Sequence, residues 1–201
     1  KKTKAIVLNT PHNPTGRVFT KSEMTAIAEL CQKYDAWVIT DEPYEHIRYA
    51  GDHHVMATLP GMRERTITIS SLSKTFTCTG WRLGYAVAPA AQTAAIRKVH
   101  DFLTVGAPAP LQAAGAIGFA FDADYFNHLA ADYKARYAVL APVLRDVGFK
   151  FVEPEGAYFL FCDFSKISKK GDVEFARWMI EEVGVATVPG SSFFNDKKDG
   201  K

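Results

Sequence analysis

The sequence predicts an α/β fold: a mainly parallel sheet with flanking helices, followed by a smaller α+β unit. Short β-branched runs alternate with segments of helical apolar spacing over the first 120 residues. Beyond about residue 145, strand-like runs follow one another with turn residues between them. We therefore expect residues 1–123 to be part of a large ligand-binding domain, residues 124–145 an interdomain helix, and residues 146–201 an incomplete small domain.

The composition is that of a globular protein. Of the 201 residues, 47% are hydrophobic and 23% charged, and the net charge is +2. Charges of both signs are interspersed, so neither nucleic acid nor an anionic membrane is expected as a partner. No apolar run reaches the ~20 residues that span a bilayer. The three cysteines are far apart, which predicts no disulfide framework, no metal site and a cytoplasmic location.

The first strand is expected at residues 5–8, a continuous apolar run typical of a strand buried on both faces. Two prolines, two asparagines and a glycine follow in residues 9–16 and predict a shaped loop. This loop is either an ordinary turn or a support that projects Asn13 toward a ligand. A helix is then expected over residues 20–34, with Thr20 as N-cap and Glu23 as its capping-box partner. Its sheet-facing residues are expected to be Ile27, Leu30, Cys31 and Tyr34.

The second buried strand is expected at residues 36–40 and ends in two acids, Asp41 and Glu42. A strand, helix, strand order implies a parallel pair whose following loops open on the same edge. Because strand side chains alternate in direction, only one acid can face a site there, and we favour Asp41. Asp41 considered alone could equally be a helix cap or a turn former.

A third strand, residues 66–69, leads into a loop of small hydroxyl residues that carries Lys74. Most lysines are solvated surface charges. If this loop is buried against the sheet, however, desolvation makes Lys74 a usable amine nucleophile for Schiff-base chemistry. A further strand is expected at residues 83–88.

The rest of the chain is predicted to be helical and then mixed. A helix is expected at residues 91–102. One or two long helices are expected within residues 111–144, and the second of these would cover residues 125–140. Short strands at 149–152, 158–162 and 185–188 and a helix at 173–183 complete the small unit.

The polar groups at the strand ends match the surface of pyridoxal 5'-phosphate (PLP). Lysine reacts with its aldehyde, and a carboxylate keeps its ring nitrogen protonated. Tyrosine and asparagine can hydrogen-bond its 3-oxygen, and serine and arginine suit its phosphate. The groups in question are Asn13, Asp41, Tyr44, Ser71, Lys74 and Arg82. The sequence contains no phosphate-binding glycine motif of nucleotide-binding proteins.

Four motifs in order resemble the class I/II aminotransferases of PLP fold type I. They are Asn13-Pro14-Thr15-Gly16, Asp41-Glu42-Pro43-Tyr44, Ser71-Leu72-Ser73-Lys74-Thr75-Phe76 and Gly80-Trp81-Arg82-Leu83-Gly84-Tyr85. Residues 155–159 and 189–194 resemble small-domain motifs of the same enzymes. The resemblance implies that Lys74 is the Schiff-base lysine and proton carrier and Asp41 the pyridinium partner. It further implies that Asn13 and Tyr44 bind the 3-oxygen, Ser71 and Arg82 the phosphate, and that the Asn13-Pro14 bond is cis.

Within the family, the residues of the motifs favour aromatic, kynurenine or methionine aminotransferases. The resemblance further implies amino acid and 2-oxo acid substrates and a homodimeric full-length enzyme. The upstream glycine loop and the downstream substrate-binding arginine of such enzymes have no counterpart in the 201 residues. The chain is therefore expected to be an internal portion that is inactive by itself.

Other functions share this fold and this cofactor. C–S lyases and cyclopropane-forming synthases use the same residues, and a transcription regulator can carry the fold as a sensing domain.

Overall fold

The computed structural model describes residues 2–196, and its main layer is a four-stranded sheet. The strands lie in the order β1, β2, β3, β4. The first three run parallel, and β4 is antiparallel to β3. Their bounds are Ala5–Asn9 for β1, Trp37–Asp41 for β2, Thr66–Ser71 for β3 and Gly84–Val87 for β4. The α/β fold with a mainly parallel sheet is confirmed, and the carboxyl ends of β1, β2 and β3 share one edge.

β1 is not buried on both faces, so that prediction is wrong. Leu8 is buried, but Val7 is 70% exposed. The main apolar cluster joins Leu8 and Val38 to the helix that follows β1, on one face of the sheet only. Since β1 is an edge strand and no described residue covers Val7, its alternating side chains meet different surroundings.

The first helix, α1, covers Lys21–Tyr34 and begins with the predicted capping box. The Thr20 side chain accepts a hydrogen bond from the Glu23 N–H at 3.3 Å, and the Glu23 carboxylate accepts one from the Thr20 N–H at 2.9 Å. Two backbone donors that the helix itself cannot satisfy are thereby bonded, which fixes where α1 starts.

The buried face of α1 differs in part from the prediction. Cys31 is fully buried as expected, but its buried companions are Met24 and Ala28. Leu30 and Tyr34 are 49% and 46% exposed. Met24, Ala28 and Cys31 are spaced four and three residues apart, so they form one stripe, and Leu30 lies beside that stripe.

Five further helices follow along the chain. Their bounds are Leu72–Thr75 for α2, Ala90–Thr104 for α3, Ala109–Gly118 for α4, Ala123–Asp146 for α5 and Asp172–Trp178 for α6, which continues as a π-helical turn over Met179–Val183. α5 is longer than predicted because Pro142 is accommodated inside it. Among residues 2–196, no helix combines the length and the apolar character that a membrane span needs.

The last part of the chain has less sheet than predicted. Of the described residues after α5, only β5 (Lys150–Phe151) and β6 (Cys162–Asp163) form paired strands, in antiparallel fashion. In the described chain, residues 185–188 form no strand, so that prediction is wrong. The Val185 N–H donates instead to the Met179 carbonyl and closes the preceding helix, and Val188 is 68% exposed. An apolar run becomes a strand only where another strand is available to pair with it.

Candidate active site

Lys74 lies immediately after β3, on the short helix α2 rather than in the predicted loop. The helix is started by Ser71, whose hydroxyl accepts from the Ser73 N–H at 3.1 Å. A single helical turn with a side-chain cap is difficult to foresee, because its four residues show no periodicity. The effect is to place Lys74 at the carboxyl edge of the sheet, where parallel strands present groups to ligands.

The Lys74 side chain is half-buried against an aromatic cluster. Its Nζ lies 5.6 Å from the centre of the Tyr158 ring. Within residues 2–196 this amine takes part in no ion pair. Tyr158 in turn stacks on Tyr133, with ring centres 5.5 Å apart. An amine that is partly removed from water and has no anionic partner is suited to react with a carbonyl group.

Tyr44 is the buried member of the same cluster, with only 3% of its surface exposed. Its ring makes edge contacts with Tyr158 at 5.2 Å and Phe159 at 5.7 Å. Burial, assisted by the neighbouring Tyr158 hydroxyl and by the charge of Asp41, raises the pKa of the Tyr44 hydroxyl well above its ordinary value. Tyr44 therefore remains a neutral hydrogen-bond donor at physiological pH.

Asp41 ends β2 and is half-buried at the same sheet edge. Its carboxylate Oδ2 accepts a hydrogen bond from Asn9 Nδ2 at 3.1 Å. Burial raises the pKa of the Asp41 carboxyl group, and the negative charge of Glu42 raises it further. Among residues 2–196 no cation forms an ion pair with Asp41. A protonated ring nitrogen would supply the missing positive charge.

Glu42 points away from these contacts, as the alternation of strand side chains predicts. It is fully buried, and its Oε2 lies 2.6 Å from His53 Nε2. On the same side, Glu45 accepts from the Ser70 and Tyr85 hydroxyls, both at 3.0 Å. The two acids at the end of β2 thus have separate surroundings.

Asn13 lies in the loop after β1 and its side chain is exposed. The loop is closed by a hydrogen bond from the Gly16 N–H to the His12 carbonyl at 2.8 Å. The Asn13-Pro14 bond is cis, as the resemblance implied, and so is Thr10-Pro11. The Asn13 N–H donates to Asn9 Oδ1 at 2.7 Å, which ties this loop to the end of the strand.

Ser71 and Arg82 are joined through the backbone of Leu83. The Ser71 hydroxyl donates to the Leu83 carbonyl at 3.1 Å, and the Leu72 N–H donates to the same carbonyl at 3.2 Å. Arg82 is exposed and has a positive φ of 55°. One of its guanidinium nitrogens donates to the Thr79 carbonyl at 3.1 Å. The other guanidinium donors remain at the surface, as a phosphate ligand requires.

The predicted residues thus form three connected pairs, two of them bridged by residues that sequence reasoning did not select. Tyr158 links Lys74 to Tyr44, and Asn9 links Asp41 to Asn13. Asn9 was assigned only to a loop, although its place opposite Asp41 in the sheet register could have indicated it. Tyr158 belongs to residues 155–159, which resemble a small-domain motif, but nothing in the sequence placed it beside Lys74, because that contact is long-range.

An amine, an acid, a phenol and an arginine around the carboxyl edge of a parallel sheet are groups of the chemical types that can hold PLP. Comparison with known proteins agrees. The family "Aminotransferase class I and II" matches residues 1–198. The chain belongs to this family, whose members depend on PLP.

Individual relatives are similar over nearly the whole chain. It is 40% identical to kynurenine–oxoglutarate transaminase 3 of Bos taurus, over 96% of this chain and 47% of the relative. It is 37% identical to methionine aminotransferase of Escherichia coli K12, over 97% and 51%. The solved N-succinyldiaminopimelate aminotransferase of Mycobacterium tuberculosis has a TM-score of 0.91 and 39% identity, over 96% of this chain and 50% of that one. The chain spans about half the length of these relatives.

Proposed function

We propose that the protein is a PLP-dependent aminotransferase that moves an amino group between an amino acid and a 2-oxo acid. The observation that carries the proposal is the half-buried Lys74 amine, which has no ion-pair partner among residues 2–196 and lies at the same sheet edge as Asp41. PLP, when bound, supplies an aldehyde that accepts the amino group and a ring that withdraws electrons. The roles of the individual residues are part of the same proposal.

Lys74 has two tasks in this proposal. Its Nζ would hold the aldehyde group of PLP, and when a substrate amine occupies that position, the freed nitrogen would carry the proton of the substrate's α-carbon. The aromatic ring of Tyr158 lies beside Nζ, with its centre 5.6 Å away, and covers one side of that nitrogen.

The other residues orient and bind the cofactor. Asp41 holds a proton on the ring nitrogen. Tyr44 and Asn13 hydrogen-bond the ring 3-oxygen, and the neutral state of the Tyr44 hydroxyl supports this role. Ser71 and Arg82 bind the phosphate, Arg82 with its charged guanidinium group.

The names of the relatives support a substrate class. They include kynurenine–oxoglutarate transaminases and a methionine aminotransferase. We therefore propose kynurenine, aromatic amino acids or methionine as the amino donor and 2-oxoglutarate as the acceptor. The names of these relatives favour amino transfer over C–S lyase, cyclopropane-forming synthase or regulator functions.

A homodimeric enzyme in the cytoplasm completes the proposal. Helix α3 carries exposed apolar residues, among them Val99 with an exposed fraction of 59% and Phe102 with 92%. This exposure supports the proposal that further protein packs against α3. The three cysteines are all free thiols, which supports a reducing compartment.

An activity assay tests the proposed function. Full-length protein supplied with PLP, 2-oxoglutarate and kynurenine, methionine or phenylalanine is expected to form glutamate. Lys74→Ala is expected to lower this rate by about 10³-fold or more, whereas Lys21→Ala, at an exposed lysine of α1, leaves it unchanged. Release of a keto acid without an acceptor would indicate a lyase instead. Wild-type turnover by Lys74→Ala would overturn the proposal.

A further inference from the structure

We propose that Asn9 is a positioning residue that orients both the Asp41 carboxylate and the loop carrying Asn13. The inference rests on the proposed function, because it assigns Asn9 a task toward two residues of the PLP site. Asn9 is the last residue of β1 and lies directly opposite Asp41 in the parallel register. It is half-buried at the sheet edge.

Three hydrogen bonds connect Asn9 to the site. Its Nδ2 donates to the Asp41 carbonyl oxygen at 2.9 Å and to the Asp41 Oδ2 at 3.1 Å. Its Oδ1 accepts from the Asn13 N–H at 2.7 Å. Both donor hydrogens of the amide and its oxygen are thus used, so the Asn9 side chain is held in one orientation.

These partners determine which way the amide faces. The Asp41 carbonyl and the ionised Asp41 carboxylate can only accept, so they require the NH₂ end of Asn9. The Asn13 N–H can only donate, so it requires the oxygen. An aspartate in this position could satisfy Asn13 but not Asp41, and an alanine could satisfy neither.

The bond to Oδ2 also favours the charged form of Asp41. The Asp41 carboxylate is bonded by Asn9 from β1 and lies within electrostatic reach of the Tyr44 hydroxyl and of Glu42, the next residue in sequence, whose side chain points the other way. Glu42 and burial both favour the neutral carboxylic acid. Asn9 opposes them, and only an ionised Asp41 can hold a proton on the ring nitrogen of the cofactor.

Two variants separate the two contacts of Asn9. Asn9→Ala removes the donor and the acceptor, whereas Asn9→Asp keeps an acceptor for Asn13, removes the donor to Asp41 and adds a negative charge. Asn127→Asp adds the same charge at an exposed position of α5 and is the matched control. The readouts in cofactor-free, full-length protein are the pKa of Asp41 by carbon-13 NMR and the hydrogen-exchange rate of the Asn13 amide.

Asn9→Ala is expected to raise the Asp41 pKa and to speed exchange of the Asn13 amide by about tenfold, the effect of one lost hydrogen bond. Asn9→Asp is expected to raise the same pKa while exchange stays close to that of the wild type. Both variants should weaken PLP binding by about tenfold or more, because a hydrogen bond to a charged group is lost. Asn127→Asp should change none of these quantities.

An Asp41 pKa that stays at the wild-type value in both variants would overturn the proposal. If Asn9→Ala loosens the packing in general, amides throughout the sheet will exchange faster in that variant. The Asp41 pKa of the nearly isosteric Asn9→Asp variant is then the measurement that tests the proposal. Failure of the wild type to bind PLP would contradict the proposed function instead, while the two NMR readouts would still test the role of Asn9.

Discussion

The ionised Asp41 carboxylate is expected to destabilise the cofactor-free protein. Burial and the charge of Glu42 raise the pKa of its carboxyl group. An acid whose pKa is higher in the folded than in the unfolded protein destabilises the fold when ionised. This penalty is complete above the folded-state pKa and disappears as the pH falls below the unfolded-state value of about 3.9.

Asp41→Asn is therefore expected to stabilise the cofactor-free protein at pH 7. The urea midpoint of the variant should exceed that of the wild type, and the difference should shrink on acidification and vanish below about pH 4. Amino transfer should fall by about 10²-fold or more, because the ring nitrogen loses its charged partner. The control is Asp52→Asn in an exposed loop. An unchanged or lower midpoint at pH 7 would contradict this interpretation.

At the residue scale, the sequence was informative about which groups follow each strand. Asp41 directly follows a β-branched run and Lys74 comes shortly after another, and parallel strands bring such positions to one edge. The residues that orient them were not predictable in the same way. The contact of Asn9 with Asp41 spans 32 positions in the sequence and depends on strand register. Register becomes visible only when the strands are paired.

At the element scale, the loop after β1 is held against the segment that follows α5. The Gly16 carbonyl accepts from the N–H groups of Glu155 and Gly156 at 2.9 and 2.8 Å. Gly16 has a φ of +72°, and a Cβ at this position would lie 2.5 Å from Pro154 Cβ and 2.9 Å from the Gly156 oxygen. Glycine is required here both by the backbone conformation and by the close packing.

Gly16→Ala is expected to destabilise the protein more than Gly51→Ala. Both glycines have a positive φ, +72° and +69°, but a Cβ on Gly51 would meet nothing within 4 Å. Gly51→Ala should cost only the conformational penalty of about 1 kcal/mol. Gly16→Ala should cost a further ~1–3 kcal/mol for overpacking. Urea denaturation of both variants measures the difference, and equal losses would show that the packing at Gly16 is loose.

Elements with a clear period or cap were predicted well, and short elements were not. The capping box of α1 is a local signal and was found by sequence. α2 has only four residues, and the expected strand at residues 185–188 has no pairing partner within the described chain. Local patterns cannot report such tertiary conditions.

At the scale of the whole molecule, the division into residues 1–123, 124–145 and 146–201 stays a prediction. Long-range contacts cross it. The Val18 N–H donates to Glu155 Oε2 at 2.8 Å, 137 positions away. Tyr44 and Ile47 share an apolar cluster with Ala157. The segment around Tyr158 thus contributes to the surroundings of Lys74, so the proposed cofactor site draws on both the predicted large domain and the predicted small domain.

The covalent attachment of PLP to Lys74 tests the central claim most directly. Full-length protein is incubated with PLP, treated with borohydride, digested and analysed by mass spectrometry. We expect a phosphopyridoxyl group on the peptide that contains Lys74, and none on the corresponding peptide of Lys74→Ala. No attachment in the wild type, or attachment mainly to exposed lysines such as Lys21, would contradict the account.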